Sequence, residues 1–157
     1  MAQHRAIIGF YAMALVGLVD QLSKWFILDR LSDVHRTIPV TSFLNFVLVW
    51  NKGVTFGIFN HGSERYLPFI LIGVAVIILF FLARWLYRTS STTVALGLGC
   101  IMGGAVGNAI DRFRYGAVVD YLDFYYRTYH WYAFNVADAA IVTGVALLLI
   151  DGMVRGK

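Results

Sequence analysis

The chain reads as an α-helical integral membrane protein: four transmembrane helices with a small extracytoplasmic β-rich platform. Three observations predict this. Of its 157 residues, 59% are hydrophobic and only 14% are charged, with a mean hydropathy of +0.69, so too little polar surface exists to coat a soluble core. Four apolar runs have about the 20 residues needed to cross a hydrocarbon layer. The stretch between the first two runs is long for a connector and rich in β-branched and aromatic residues, which favour strands.

The first helix is expected at about residues 6–28. A cleavable leader would also begin with a basic residue, here Arg5, and an apolar run. No small-residue cleavage site follows; the run meets "DQLSKWF" instead, so it reads as a retained helix. The β-rich platform covers about 29–65. Within it "TSFLNFVLVW" (41–50) favours strands, and "NKGVTFGIF" continues them with breaks at Gly53 and Gly57. The second helix is expected at about 66–87, with Pro68 tolerated in its first turn. The third runs over about 93–112 and the fourth over about 134–154. Between these two, residues 113–132 are crowded with Tyr, Trp and Phe, which prefer the headgroup level. Both outer loops are therefore expected at the membrane surface. The length suits a single domain, 1–157.

The formal net charge is +4. With no basic tract of five or more residues, it does not point to nucleic acid. It fits cytoplasmic flanks of membrane helices instead. The two termini and the 84–92 connection hold Arg5, Arg84, Arg88, Arg155 and Lys157 against Asp151 alone, which places the termini in the cytoplasm. The raw count of basic residues is higher on the other side, but several of those belong to the motifs below. Cys100 is the only cysteine, so no internal disulfide, cysteine metal cluster or thiol nucleophile is expected.

The fourth run, "AFNVADAAIVTGVALLLI", carries Asp138. An acid at the centre of a spanning helix costs about 2.5–3.5 kcal/mol on insertion scales, so it needs a reason. Other polar residues fall at the same depth: Asp20, Gln21 and Lys24 on the first helix, Asn51 in the loop, Asn108, Asp111 and Arg112 on the third helix, Asp120 and Asp123 before the fourth, and Asn135 at its start. Each has an ordinary explanation. Asp20 and Lys24 stand four apart with the acid first, the favourable order for a helical ion pair. Asn135 and Asp138 have the spacing of a capping box. Arg112 can snorkel to phosphates. Gly99, Gly103 and Gly107 make a small-residue stripe for close helix packing. Yet Asp138 beside Asp120 or Asp123 would also form a pair sharing one proton. One carboxylate then serves as base on an attacking water and the other as acid toward a carbonyl oxygen. This needs no metal and no cofactor. From these residues alone the choice between Asp120 and Asp123 stays open. So do two rivals: a small membrane transporter or proton relay using the same acids, and a structural membrane protein whose acids only cap and pair.

Five motifs, "DQLSK" (20–24), "NKGVTFG" (51–57), "GGAVGNAIDR" (103–112), "VVDYLDF" (118–124) and "FNVADAAI" (134–141), in this order and spacing, resemble bacterial lipoprotein signal peptidase, also called signal peptidase II. The resemblance runs from Asp20 to about Ile141. It implies a multi-pass aspartic endopeptidase of the bacterial cytoplasmic (inner) membrane with its site near the outer leaflet. Such an enzyme cuts the signal peptide from a diacylglyceryl-modified prolipoprotein, just before the lipidated cysteine. The family's catalytic pair falls on Asp120 and Asp138. Its supporting residues fall on Asp20, Lys24, Asn51, Gly53, Gly104, Asn108, Arg112 and Asn135. Implied partners are the prolipoprotein substrate, membrane lipid and globomycin-like inhibitors, with the chain a monomer. One departure is Val54 and Thr55 after "NKG", where small residues are usual. Physics adds an expectation: Asp138, at a helix start, holds the charge, and Asp120, desolvated among aromatics, holds the proton.

Overall fold

The computed structural model describes residues 2–31, 36–53 and 65–155. In chain order the elements are α1 (Ala2–Arg30), β1 (Ile38–Thr41), β2 (Leu44–Asn51), α2 (Leu67–Arg88), α3 (Thr92–Tyr115), β3 (Val118–Tyr126), β4 (Tyr129–His130) and α4 (Val136–Arg155). All four helices are long and apolar enough to cross a membrane. They lie where the four apolar runs predict them.

α3 is the central helix and packs against α1, α2 and α4. Half of its most apolar window is buried within the protein, against 6% for α2. Lipid tails are as apolar as leucine, so helices associate in a bilayer through close backbone packing rather than by escaping water. The glycines of α3 provide that closeness. Gly99 meets Ala12 and the backbone of Gly9, and Gly103 meets Met13 and Val16, all on α1. On another face, Gly97 meets Gly144, and Gly104 meets Ala137 and Ile141, all on α4. The predicted stripe is thus a real contact. Its last member, Gly107, leaves room for the Asp20 carboxylate instead of an apolar neighbour. At the other end of the bundle Ala6, Leu86, Val94, Ala95, Leu98 and Met102 form an apolar core.

The helices end where chemistry predicts. Ser91 caps α3 through its hydroxyl, which accepts from the Val94 amide. Gly116, in the left-handed conformation at φ 73°, terminates α3 and turns the chain into β3.

The sheet has four antiparallel strands in the order β1-β2-β3-β4. β1 and β2 occupy the expected platform. β3 corrects the sequence reading, which expects residues 113–132 to be an aromatic loop at the membrane surface. "VVDYLDFYY" is rich in β-branched and aromatic residues and fits a pleated, half-buried surface. It completes the sheet because β2 offers it an edge, with Asn45 opposite Asp123 and Val49 opposite Asp120. Ile27, Leu31, Leu48, Val119 and Tyr121 pack the sheet onto the end of α1. The expected break at Gly57, and Val54 and Thr55, lie outside the described residues.

Candidate active site

The site starts from a buried lysine. Lys24 and its neighbours Asp20 and Asp111 are each at most 3% exposed at their side chains. An ammonium has three N–H donors and no acceptor. The Lys24 Nζ lies 2.9 Å from Asp20 Oδ2, 2.8 Å from Asp111 Oδ2 and 3.0 Å from Asn108 Oδ1, so all three donors are used. Gln21 Nε2 joins the two acids, at 3.2 Å from Asp20 and 2.9 Å from Asp111. The other Asp20 oxygen accepts from the Ala137 amide at 2.9 Å, capping an orphan N–H at the start of α4. The Asp111 carboxylate also accepts from the Val119 amide at 3.1 Å. One charge cluster therefore fixes α1, α3, β3 and the beginning of α4 together. The expected Asp20–Lys24 ion pair exists, as part of this larger network.

Three asparagines then present their NH2 groups to two acids, each for a definite reason. Lys24 can only donate, so Asn108 turns its carbonyl to it, and its Nδ2 donates to Asp138 Oδ1 at 2.8 Å. Asn135 Oδ1 accepts from the Asp138 amide at 2.9 Å, leaving its Nδ2 to donate to Asp120 Oδ1 at 2.6 Å. Asn51 Oδ1 accepts from the Gly53 amide at 2.8 Å, and its Nδ2 donates to Asp120 Oδ2 at 2.9 Å. Asp138 Oδ2 in return accepts from the Asn135 amide at 3.3 Å. This completes the predicted capping box.

Asp120 and Asp138 thus share Asn135, and Asn135 Nδ2 also lies 3.3 Å from Asn108 Oδ1. Asp120 is 2% exposed. Burial pushes its carboxyl up to about 6, with the neighbouring charge of Asp138 adding to the rise and the Asn51 and Asn135 amides opposing it. Asp123 points to different partners: Asn45 Nδ2 at 3.1 Å and His130 Nδ1 at 2.9 Å. Of the two acids left open by the residues alone, Asp120 is the one joined to Asp138. Successive strand residues face opposite sides, so acids three apart diverge.

The Arg112 guanidinium donates to the Asn108 backbone carbonyl at 3.2 Å and feels the charges of Asp138, Asp120 and Asp111. Among the described residues its buried Nε has no hydrogen-bond partner. Gly53 has φ 82°, a left-handed conformation that favours glycine, and a Cβ there would meet only the flexible tip of Leu71 and approach Arg112 Nη2. Gly104 carries no functional group. It lets α4 approach α3 so that Asp138 reaches Asn108. Every predicted site residue lies in this network or against it. The expected set omitted Gln21 and Asp111, although both were visible as polar positions, and Asp111 follows Gly103 and Gly107 on the same stripe. Among the described residues no group of three or more His, Cys, Asp or Glu side chains is placed to hold a metal ion.

A helical membrane protein with two aspartates, one buried and one half-buried, linked through one asparagine beside a small sheet is the class that fold and site define. The family model of signal peptidase (SPase) II matches residues 12–154, and the chain belongs to that family, whose members are aspartic peptidases. It is 42% identical over 152 residues to the lipoprotein signal peptidase of Nitrobacter hamburgensis, covering 94% of this chain and 92% of the relative. It is 44% identical over 147 residues to that of Methylobacterium sp. (strain 4-46), covering 92% and 88%. Two solved structures described as a bacterial membrane enzyme superpose with TM-scores of 0.77. One is 25% identical and covers 95% of this chain and 91% of its own. The other is 28% identical and covers 91% and 90%.

Proposed function

We propose that the chain removes the signal peptide from diacylglyceryl-modified prolipoproteins, cleaving before the lipidated cysteine, with Asp120 and Asp138 as the catalytic pair. The observation that carries this reading is the shared asparagine scaffold: Asn135 holds both acids, while Asn108 and Asn51 each hold one. Asp138, in the first turn of α4, is the base in this reading. Asp120, raised by burial, keeps the proton. Asp138 takes a proton from water as the oxygen attacks the scissile carbonyl. Asp120 gives its proton to the carbonyl oxygen, so the tetrahedral intermediate forms without a buried oxyanion. Its collapse breaks the C–N bond, and the proton on Asp138 passes to the leaving nitrogen. The proton on the intermediate's hydroxyl returns to Asp120. The pair shares its protons, so this assignment is one of microstate preference.

This reading puts the protein in the bacterial cytoplasmic membrane, with cytoplasmic termini and the site near the outer leaflet. It also expects a monomer open to globomycin-like peptides. A gel-shift assay with a lipid-modified precursor tests it. Asp120→Asn and Asp138→Asn should each lower cleavage by about 10²–10⁴-fold while the protein keeps its helical content. Wild-type protein that cleaves nothing in this assay, but supports ion flux lost in Asp138→Asn, would favour a transporter instead.

A further inference from the structure

At the end of the bundle opposite the aspartates, basic residues gather: His4 and Arg5 on α1, Arg84 and Arg88 on α2, and Arg155 on α4. They lie near one another because Ala6, Leu86 and Val94 share one core cluster. Arg155 is already engaged, with Nε 2.9 Å from Asp151 Oδ1 and Nη2 3.1 Å from Ser91 Oγ. Asp151 is the only acid in α4 beyond Asp138, and it is taken by Arg155 and Ser91. Among the described residues, Arg84 and Arg88 have no carboxylate partner.

These two arginines border a groove of about 410 Å³ lined by Phe80, Ala83, Arg84, Tyr87 and Arg88. The spacing i, i+3, i+4, i+7, i+8 puts all five on one face of α2. Ala83 is the small floor. Phe80, 64% exposed, makes the apolar end, toward the middle of the span. Tyr87 is held against Phe10 of α1, with ring centroids 5.6 Å apart, so that wall is fixed. The guanidiniums stand in the last turns of the helix, where the apolar span ends. The groove is therefore amphipathic along its length: hydrocarbon surface first, then an aromatic, then two positive charges.

We propose that this groove binds one anionic glycerophospholipid, its phosphodiester held by Arg84 and Arg88 and an acyl chain lying over Ala83 and Phe80. Guanidinium matches phosphate oxygens in planar, two-point fashion. The occupant is a lipid rather than a free anion because the apolar half of the groove faces the bilayer. The site is remote from the aspartate pair, so the inference stands whether or not the peptidase reading does.

The test is native mass spectrometry of the whole protein released from micelles containing equal phosphatidylglycerol and phosphatidylethanolamine. The wild type should retain one phosphatidylglycerol per chain, preferred over phosphatidylethanolamine by about tenfold, a typical gain for charge-assisted contacts. The double variant R84Q/R88Q should fall to parity. R127Q, which removes a cation lying over Tyr126 instead, should keep the preference. Equal retention of both lipids by the wild type would overturn the proposal, as arginines that merely snorkel would give. A double variant that keeps the preference would overturn it too. So would displacement of the bound lipid by inorganic phosphate, which would mark a free-anion site. Circular dichroism of the variants confirms folding, which substitutions at exposed positions leave intact.

Discussion

An asparagine amide has one acceptor and two donors, and the partner on its acceptor decides what its donors face. In this site Lys24, the Asp138 amide and the Gly53 amide occupy the three carbonyls. The three NH2 groups are left for two carboxylates, where a donor favours the charged form. Burial outweighs those donors at Asp120 and leaves its carboxyl near 6. The sign of a substitution follows. Asn51 opposes the rise, so Asn51→Ala should push Asp120 higher and extend its protonated range upward. If Asp120 is the acid, kcat/KM of the wild type should fall as pH rises through about 6, and Asn51→Ala should move that alkaline limb to higher pH. A pH profile of precursor cleavage measures it. A limb that stays in place or moves down would separate Asn51 from the titration of Asp120.

At the scale of elements, α3 organises the molecule because it gives up side-chain volume on two faces. A Cβ on Gly104 would run into the carbonyl oxygen of Ala137 and into Ile141. Backbone cannot step aside as a side chain can. Gly104→Ala should therefore cost about 1–3 kcal/mol as overpacking, read by unfolding in detergent. Cleavage should suffer more than stability does, since Ala137 adjoins Asp138. Gly73 on α2 is the control: a Cβ there meets nothing within 4 Å. Gly73→Ala should be neutral or more stable, by up to about 1 kcal/mol of helix propensity. The helices were legible from apolar length, and the capping box and the Asp20–Lys24 pair from spacing. The strand character of residues 118–126 was not, because a strand needs a neighbour. The aromatic content that suggests a membrane surface is the same content that suits a sheet.

For the whole molecule, the aspartates sit where α1, α3 and the start of α4 meet a small sheet. A substrate tethered by acyl chains in the bilayer would arrive with its scissile bond already near that depth. Tethering turns a bimolecular encounter into a nearly intramolecular one. An unlipidated precursor should then be cleaved far more slowly than its diacylglyceryl form, by about 10²-fold or more given the effective molarities that positioning reaches. Paired gel-shift time courses give the ratio, and equal rates would refute positioning by lipid.

By itself the sequence determined that the chain spans a membrane, where its four helices lie, and which polar residues have no place in lipid without partners. Those properties are local: apolar length, spacing along a helix and the cost of each charge can be counted along the chain. Family motifs named Asp120 and Asp138, but nothing in their spacing brings a strand and a helix together. Only the tertiary structure decided that Asp120 and not Asp123 shares Asn135 with Asp138, that Lys24 holds Asp111 as well as Asp20, and that β3 completes the sheet. A hydrogen bond needs both partners in one place, and these partners come from α1, α3, β3 and the start of α4.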